Sequence, residues 1–201
     1  YTTLFRSRFV RVGRSSIVFE GAVFRGEELL TGGEMLYVYT TPHAAASQPV
    51  PAVLADALEA FEARQPMTQL RVGSWADLQA LAMPVREAVF AAEQRIPLDM
   101  VSDAADAQAH HGVVTNRLGL PLATGRLVLQ TGADGRVVGK VGRMAVLHPQ
   151  RGQRLGAQVL AALVQRAREL GCAEVMLHAQ QSARSFYLPH GFEQRGDAFD
   201  E

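Results

Sequence analysis

Residues Val141–Phe192 read VGRMAVLHPQRGQRLGAQVLAALVQRARELGCAEVMLHAQQSARSFYLPHGF, and here a strand, a glycine turn and a helix follow one another without a spacer. The apolar run Val141–Leu147 predicts the strand, and the turn after it carries Gly152 and Gly156. Apolar residues then recur at steps of three and four, which predicts a helix with one buried face. Gly171 is typical of the position just beyond a helix C-terminus, because glycine accepts a left-handed backbone.

The junction between this strand and this helix has the features of an anion-binding site. The first turn of a helix carries unpaired N–H groups and a partial positive charge. Two glycines let the backbone approach an anion, and Arg151 and Arg154 add charge. Arg151–Gly156 therefore predicts a cradle for a phosphate or pyrophosphate. A tight strand-to-helix turn without a ligand is the alternative interpretation of the same glycines.

Two motifs of this stretch resemble those of the GNAT (GCN5-related N-acetyltransferase) superfamily. RGQRLG at Arg151–Gly156 resembles its pyrophosphate-binding motif, and QQSARSFYLPHGF at Gln180–Phe192 resembles its later acetyl-CoA-binding motif. The two motifs occur in the superfamily's order, about a helix and a strand apart. There are two departures, since Arg154 stands where glycine is usual and Gln180 where asparagine is common. The resemblance implies an α/β fold with a mixed central sheet, and acetyl-CoA as the acyl donor.

The resemblance also implies roles for individual residues. The residues that it assigns to acetyl-CoA binding are Met144, Ala145 and Val146 on the strand, Arg151, Gly152, Gln153, Arg154, Leu155 and Gly156 on the loop and helix, and Gln180. Backbone amides of the strand would orient the pantetheine and polarise the thioester carbonyl. Tyr187 matches the tyrosine that the superfamily places beside the thioester sulfur, where it donates a proton to the leaving thiolate. A tyrosine of the core with a satisfied hydroxyl is the alternative.

The base that accepts the amine proton has two candidates. His178 has a suitable pKa range and is predicted to lie near the end of a strand, although a buried strand histidine is more often structural. Glu93 belongs to a family-like Glu-Gln-x-Ile-Pro segment. A water relay to a more distant acid would serve as well, so the choice stays open.

The resemblance reaches upstream as far as Leu70. Arg86–Pro97, followed by three aspartates and His110, looks like the opening of the bacterial GNAT branch that includes the ElaA-type proteins. The aspartates are Asp99, Asp103 and Asp106, and their spacing could place them on one helix face, where they would bind a metal or a cationic amine. Solvated acids are the commoner interpretation, and no histidine or cysteine completes a metal site, so we expect none.

The elements around these motifs complete the layout. Ser74 with Asp77 three residues on is typical of a helix start, and Pro84 predicts the start of a second, separate helix. Strands are predicted over residues 122–130 and 137–146, around an Asp134-Gly135 hairpin turn, and over residues 174–179. After Tyr187 the chain is expected to become extended again at Gly191-Phe192.

The segment before residue 64 has a different pattern. Residues 8–40 alternate with period two over three stretches, which predicts an antiparallel meander, and Pro49 and Pro51 introduce a helix that runs to about Arg64. Residues 7–62 resemble the last strands of a hotdog-fold acyl-CoA thioesterase of the 4-hydroxybenzoyl-CoA type. The central helix and acidic catalytic residue of that fold would lie upstream, so we expect a partial hotdog segment without thioesterase activity. A sheet extension of the acyltransferase is the alternative.

These patterns predict a domain organisation. Residues 1–64 form the partial hotdog segment, residues 65–69 the linker, and residues 70–201 the GNAT domain, which is expected to be truncated at its C-terminus. The first residue, Tyr1, and the poor fit of residues 1–7 with the strand pattern after them predict a fragment. Dimerisation through a complete hotdog domain in the parent protein would follow by analogy.

Bulk properties limit the class of function. The 201 residues are 48% hydrophobic with a formal net charge of zero, which allows a buried core and gives no bias toward nucleic acid. No apolar run is long enough for a membrane span, and no signal peptide is evident. The single cysteine, Cys172, excludes an intrachain disulfide and suits a reducing compartment, so a cytoplasmic location is predicted.

Three functions remain open from the sequence. The first is an N-acyltransferase that moves an acetyl group from acetyl-CoA to a small-molecule amine or another amino group of unknown identity. The second is a thioesterase fusion whose catalytic part is missing. The third is a non-catalytic acyl-CoA-binding or regulatory module, which Arg154 and the shortened C-terminus favour.

Overall fold

The computed structural model describes residues 2–41, 46–132 and 134–195. The chain divides into two compact units, with the boundary between Met67 and Thr68. No helix in the described ranges combines the length and the apolar character that a membrane crossing requires.

The first unit contains an antiparallel sheet of three strands and one helix. The strands are β1 (Thr3–Val12), β2 (Ser16–Arg25) and β3 (Glu28–Val38), in the order β1-β2-β3. Helix α1 (Ala52–Glu62) starts directly after Pro51. The predicted separate antiparallel sheet is therefore confirmed, and β1 begins five residues before the predicted alternation.

The second unit is built on a mixed sheet of five strands. The strands are β4 (Thr68–Gly73), β5 (His110–Asn116), β6 (Pro121–Thr131), β7 (Val137–Val146) and β8 (Glu174–Leu177). They lie in sequence order, with antiparallel pairing from β4 to β7 and parallel pairing between β7 and β8. The parallel pair requires a crossover, which the helix between the two strands provides. The predicted α/β fold with a mixed sheet is confirmed.

Two helices cover opposite faces of this sheet. Helix α3 (Leu155–Glu169) packs over Gly112 of β5 through Val159 and Leu163. The next strand residue, Val113, packs instead with Leu78 of helix α2 (Trp75–Arg86). Because successive strand residues point to opposite faces, α2 and α3 lie on the two sides of the sheet.

Helix α2 differs from the prediction at Pro84. The Ser74 side chain accepts a hydrogen bond from the Asp77 N–H at 3.3 Å, so the helix starts as predicted. Pro84, however, lies inside α2, and the expectation that it opens a separate helix was wrong. The helix continues without a break into a π-helical segment, Glu87–Glu93. Burial of Val85 and of Val89 in that segment keeps the chain helical, because both pack on the sheet and together outweigh one missing N–H.

The end of the described chain is less regular than predicted. Strand β8 stops at Leu177, two residues early, and a short helix α4 (Arg184–Tyr187) follows a 3₁₀ turn. Gly191 has φ +83°, so the expected return to extended structure does not begin at this residue, and residues 192–195 belong to no strand. The left-handed turn at Gly191 ends the α4 region and redirects the chain.

Candidate active site

The β7–α3 loop, residues 147–154, connects the sheet to the start of α3. Two of its residues have left-handed backbones, with φ +84° at Gly152 and +60° at Arg154. Arg154 is the residue that caps α3, and its side chain makes no capping hydrogen bond. The first N–H groups of α3 are therefore not bound by the capping side chain, as an anion site requires. The left-handed backbone at Arg154 also gives the physical reason why glycine would suit this position, because a Cβ there costs about 1–2 kcal/mol.

Gly156 joins the loop to two other parts of the site. A Cβ on Gly156 would lie 3.3 Å from Val146 Cγ2 and 3.4 Å from Phe186 Cζ. The glycine is buried, so neither neighbour has much space to move. The first turn of α3, the end of β7 and helix α4 thus meet at one point.

Arg151 is held by an ion pair with Glu93. Its Nη1 and Nη2 donate to Glu93 Oε1 and Oε2 at 2.7 and 2.6 Å, and its Nε donates to the Val146 carbonyl at 3.2 Å. The hydrogen bonds from Arg151 lower the pKa of the Glu93 carboxyl. A carboxylate with a lowered pKa is a weaker base, so this pair weighs against Glu93 as the group that accepts the amine proton.

Strands β7 and β8 stop pairing before the chain reaches the two motifs at residues 151–156 and 180–192. Their pairing runs from Val138–Glu174 to Val141–Leu177, and β7 then continues to Val146 without β8 beside it. The backbone at the end of β7 is therefore not covered by β8 on that edge. This gap adjoins the β7–α3 loop, because Val146 touches both Gly156 and Arg151.

A β-bulge in β7 lies where the two strands part. Gly142 pairs with Arg126 and Ala145 pairs with Thr124, so Arg143 and Met144 together stand opposite the single residue between them on β6. Arg143 has φ +51°, which identifies it as the inserted residue. Bulges bend a strand and increase its twist, and this turns β7 away from β8.

The bulge also decides which way the predicted strand residues point. Met144 and Val146 pack on the α3 side of the sheet, and Ala145 packs with Val85 and Val89 on the α2 side. All three line the uncovered part of β7, and only their backbone groups are positioned to face the gap between the strands. Leu155 is buried in the core, so any contribution to ligand binding would also come from its backbone.

Tyr187 lies beside the same junction. Its ring packs edge-to-face on Phe186 and Phe192, at centroid distances of 4.9 and 6.0 Å. Burial raises the pKa of its hydroxyl, so the group stays protonated at neutral pH and can donate a proton. Since Phe186 contacts Gly156, Tyr187 is anchored to the start of α3 through its neighbour.

The remaining predicted site residues lie at the rim. His178 follows the last residue of β8 and is exposed, contrary to the alternative of a buried strand histidine. Gln180 is exposed and precedes the 3₁₀ turn Gln181–Ala183. Gln153 donates to the Gln150 side chain at 3.1 Å, within the β7–α3 loop.

Sequence reasoning missed a cluster of charged side chains on the α2 side of the sheet. This arginine–aspartate cluster consists of Arg86, Asp103, Asp106, Arg126 and Arg143. Arg86 donates to both oxygens of Asp106 at 2.9 and 3.0 Å, and both side chains are buried. Arg126 donates to both oxygens of Asp103 at 2.6 and 2.7 Å.

Two aromatic residues close the cluster at its buried end. His111 contacts Arg86 through Nδ1 at 3.4 Å and the Asp106 carbonyl through Nε2 at 2.9 Å. The Trp75 ring lies 4.9 Å from the Arg86 guanidinium carbon and 4.6 Å from the His111 ring. Burial lowers the pKa of His111, which keeps it neutral at pH 7.

The aspartates considered for metal binding are used otherwise. Asp103 and Asp106 form a capping box at the 3₁₀ helix Ala104–Gln108 and accept from arginines, and Asp99 lies in a separate turn. They do not share a helix face, which removes the arrangement that their spacing would have allowed. In the described part of the chain no three histidine, cysteine or acidic side chains are grouped to hold a metal ion. The one sequence signal of the cluster was the pair of aspartates three residues apart.

Comparison with known proteins agrees with this geometry. The model of the acetyltransferase (GNAT) family matches residues 75–192. The uncharacterized N-acetyltransferase YjcF of Bacillus subtilis (strain 168) is 32% identical over 111 residues, which are 55% of this chain and 75% of YjcF.

Solved structures are similar to this chain over about two thirds of its length. An acyl-CoA N-acyltransferase from Pseudomonas aeruginosa is 29% identical with a TM-score of 0.57, and the match covers 67% of this chain and 92% of that one. A Trypanosoma brucei acetyltransferase is 22% identical with a TM-score of 0.53, covers 67% of this chain and 98% of its own, and supports the fold alone. The family model spans more than half of the sequence, and its matched residues include the β7–α3 loop, the parted strands and Tyr187. This chain belongs to the GNAT acetyltransferase family.

Proposed function

We propose that this chain transfers the acetyl group of acetyl-CoA to the amino group of a small amine. The observation that carries the proposal is the junction at Gly156, where the start of α3, which has no side-chain cap, meets the uncovered end of β7 and the helix of Tyr187. The name of the Pseudomonas relative includes acyl-CoA, which supports the choice of donor.

The residues present fit a CoA pyrophosphate. The β7–α3 loop offers two guanidinium groups, those of Arg151 and Arg154, and the first N–H groups of α3. Gly152 has open space where a Cβ would be, so the backbone there can approach a phosphate. Backbone groups of Met144–Val146, which β8 leaves uncovered, would hydrogen-bond the pantetheine and polarise the thioester carbonyl.

The chemistry then needs a base for the amine and an acid for the thiolate. The acceptor ammonium loses one proton to the base, its nitrogen attacks the thioester carbonyl carbon, and the C–S bond breaks as the nitrogen loses its second proton and the amide forms. Tyr187, which burial keeps protonated by raising its pKa, donates its hydroxyl proton to the CoA thiolate and regains a proton from the nitrogen as the amide forms. His178 is the exposed imidazole at the end of β8 and is the better candidate base, because Glu93 is bound to Arg151.

The donor site is tested by titrating acetyl-CoA into the chain in a calorimeter. Arg154→Glu reverses a charge in the loop and is expected to weaken binding by about tenfold or more, because it replaces an attraction to phosphate with repulsion. Arg168→Glu makes the same charge change at the exposed far end of α3 and is the matched control. Equal binding by both variants and the parent chain would count against the loop as the pyrophosphate site.

The chemical step is tested with Tyr187→Phe and His178→Gln. Loss of a proton donor or acceptor is expected to lower kcat by about 10²-fold while the Kd for acetyl-CoA changes little. CoA thiol release in the presence of an amine panel gives the rate. If acetyl-CoA binds to the parent chain but no amine is acetylated, the chain is a non-catalytic acyl-CoA-binding module.

The proposal also covers residues 1–64 and their relation to the acetyltransferase domain. A meander of three antiparallel strands followed by α1 supports a partial hotdog thioesterase segment, joined through residues 65–69 to a GNAT domain of the ElaA-like branch at 70–201. The single Cys172 supports a cytoplasmic location. Cleaving at the linker and assaying residues 70–201 alone would show whether acetyl transfer needs the first segment.

A further inference from the structure

The arginine–aspartate cluster carries more positive than negative charge. Its three guanidinium groups face two carboxylates, those of Asp103 and Asp106. His111, which adjoins the cluster, is neutral at pH 7 and adds no charge. One positive charge therefore remains without a partner inside the cluster, in a place where solvent screening is reduced.

The unbalanced charge can be assigned to Arg143. Arg86 has a two-point pair with Asp106, and Arg126 reaches both aspartates. Within the described ranges Arg143 has a single hydrogen bond, from Nη2 to Asp103 Oδ2 at 3.0 Å, and it shares that oxygen with Arg126. Its buried Nε has no hydrogen-bond partner among the described residues.

Arg143 can be reached from solvent more readily than the other two arginines of the cluster. A third of its side chain, 33%, is exposed, against 12% for Arg126 and none for Arg86. A guanidinium with one contact keeps further N–H donors, so Arg143 can still form a two-point pair with a carboxylate. The open side of the cluster is therefore a place for an anion.

Arg143 lies at the end of β7 where the proposed acetyl transfer would bring the acceptor amine. It directly precedes Met144, and its side chain reaches the α2 side of the sheet, while Val146 points to the α3 side and Gly156. An anion bound by Arg143 would therefore lie beside the uncovered end of β7, on the α2 side of the sheet and away from the β7–α3 loop.

We propose that Arg143 binds a carboxylate of the acceptor, so that the substrates are small amines that also carry a carboxylate group. The proposal rests on the proposed acetyl transfer. The cluster already contains two guanidinium–carboxylate pairs with two hydrogen bonds each, Arg86–Asp106 and Arg126–Asp103. A carboxylate carries one negative charge, which matches the single unbalanced positive charge. An uncharged amine would leave the charge of Arg143 unbalanced. A protonated amine that carries no carboxylate would be repelled by the guanidinium.

The test compares acids with their carboxamides at fixed amine geometry. Glycine, β-alanine, 4-aminobutyrate and 5-aminovalerate are assayed for acetylation against glycinamide and the other matching amides. For the chain length that fits, we expect kcat/KM for the acid to exceed that for the amide by about tenfold or more, since hydrogen bonds to a charged group are stronger than those to a neutral amide. The aminoalkylphosphonate of the same length distinguishes a carboxylate site from a phosphate site.

Arg143→Asn supplies the matching variant, because asparagine tolerates the left-handed backbone at this position. The acid-to-amide ratio is expected to fall to about one in this variant, mainly through KM for the acid. Arg136→Asn removes an exposed arginine of the β6–β7 hairpin and should keep the parent ratio. Circular dichroism and the unfolding midpoint of Trp75 fluorescence confirm that each variant is folded.

The outcomes separate this proposal from acetyl transfer itself. Equal turnover of acids and amides, a ratio that survives Arg143→Asn, or faster turnover of the phosphonate would overturn the carboxylate site and leave acetyl transfer in place. If no amine is acetylated, binding of the same acids to the CoA-loaded chain is measured by calorimetry. Acid binding that Arg143→Asn abolishes supports the site, and equal binding of acids and amides overturns it.

Discussion

Arg151 and Glu93 connect the β7–α3 loop to the end of the π-helical segment by a two-point ion pair, at 2.6 and 2.7 Å. The pair turns the Arg151 guanidinium toward Glu93 and the Val146 carbonyl. The same guanidinium is a candidate to bind the CoA pyrophosphate, so Glu93 competes with the ligand for it.

Removing the carboxylate in Glu93→Gln is expected to lower the Kd for acetyl-CoA by about threefold at low salt, and the gain should shrink as salt screens the charges. The unfolding midpoint should move little, because both side chains are partly exposed, at 42% and 38%. Calorimetry at two salt concentrations gives the comparison. Glu87→Gln, at the exposed start of the same segment, is the control. A fall in kcat of about 10²-fold at unchanged Kd would instead identify Glu93 as the base.

Arg154→Gly separates strain from charge in the β7–α3 loop. Glycine relieves the left-handed backbone at φ +60°, and we expect a gain of about 1 kcal/mol, or roughly 2–4 °C in Tm. Arg154→Ala loses the same charge but keeps a Cβ, so it should show no such gain. Both variants should weaken acetyl-CoA binding equally. A Tm that is the same for glycine and alanine would contradict the strain.

Asp106→Asn breaks the buried pair with Arg86. Burial alone raises the pKa of Asp106, but the hydrogen bonds from Arg86 and the Asp103 N–H outweigh it, so the carboxyl stays ionised. Removing its charge leaves a buried guanidinium without compensation, and we expect a loss of about 3–5 kcal/mol in the free energy of unfolding. Urea unfolding followed by Trp75 fluorescence reports on this part of the molecule, because the ring lies over Arg86.

Asp99→Asn is the matched control for that measurement, since Asp99 is exposed in a neighbouring turn. It should change the free energy of unfolding by less than about 0.5 kcal/mol. Similar losses for the two variants would mean that the Arg86–Asp106 pair is not a major stabilising contact.

Asp103 should make stability depend on acid pH. The hydrogen bond from Arg126 lowers the pKa of Asp103 from 3.8 to about 2. A lowered pKa in the folded state stabilises the protein above the unfolded value, and this stabilisation is lost as the pH falls from about 4 to about 2. The urea midpoint should therefore decline over that range, and less steeply in Asp103→Asn. Parallel pH curves for the two proteins would contradict the shift.

Local patterns in the sequence predicted the features that depend on neighbouring residues. The period of α3, its start after the glycine turn and the Ser74 cap were correct because each is specified within one or two turns of chain. Pro84 was misjudged because its effect is decided by Val85 and Val89, which gain burial only when the sheet is in place. The π-helical segment has no signal of its own in the sequence for the same reason.

The candidate site shows the same division. The motif residues from Arg151 to Gly156 were found because they are contiguous, and the structure places them at the start of α3. The arginine–aspartate cluster was missed because its members come from α2, the 3₁₀ turn, β6 and β7, and only the register of the sheet brings them together. Arg143 gave no signal, because a bulge residue interrupts the alternation by which strand residues are assigned to faces.

The bulge at Arg143 has a consequence for insertions and deletions. Gly142 and Ala145 already keep regular pairing with β6, so Arg143 is surplus to the ladder. Deleting it would leave Met144, Ala145 and Val146 on their present faces while removing the bend. A straightened β7 could then stay paired with β8 beyond Val141, and the gap between the two strands would close. A single surplus residue thus keeps a continuous sheet open at one end, and a one-residue gap in a relative at this position would mark a protein that has lost the opening.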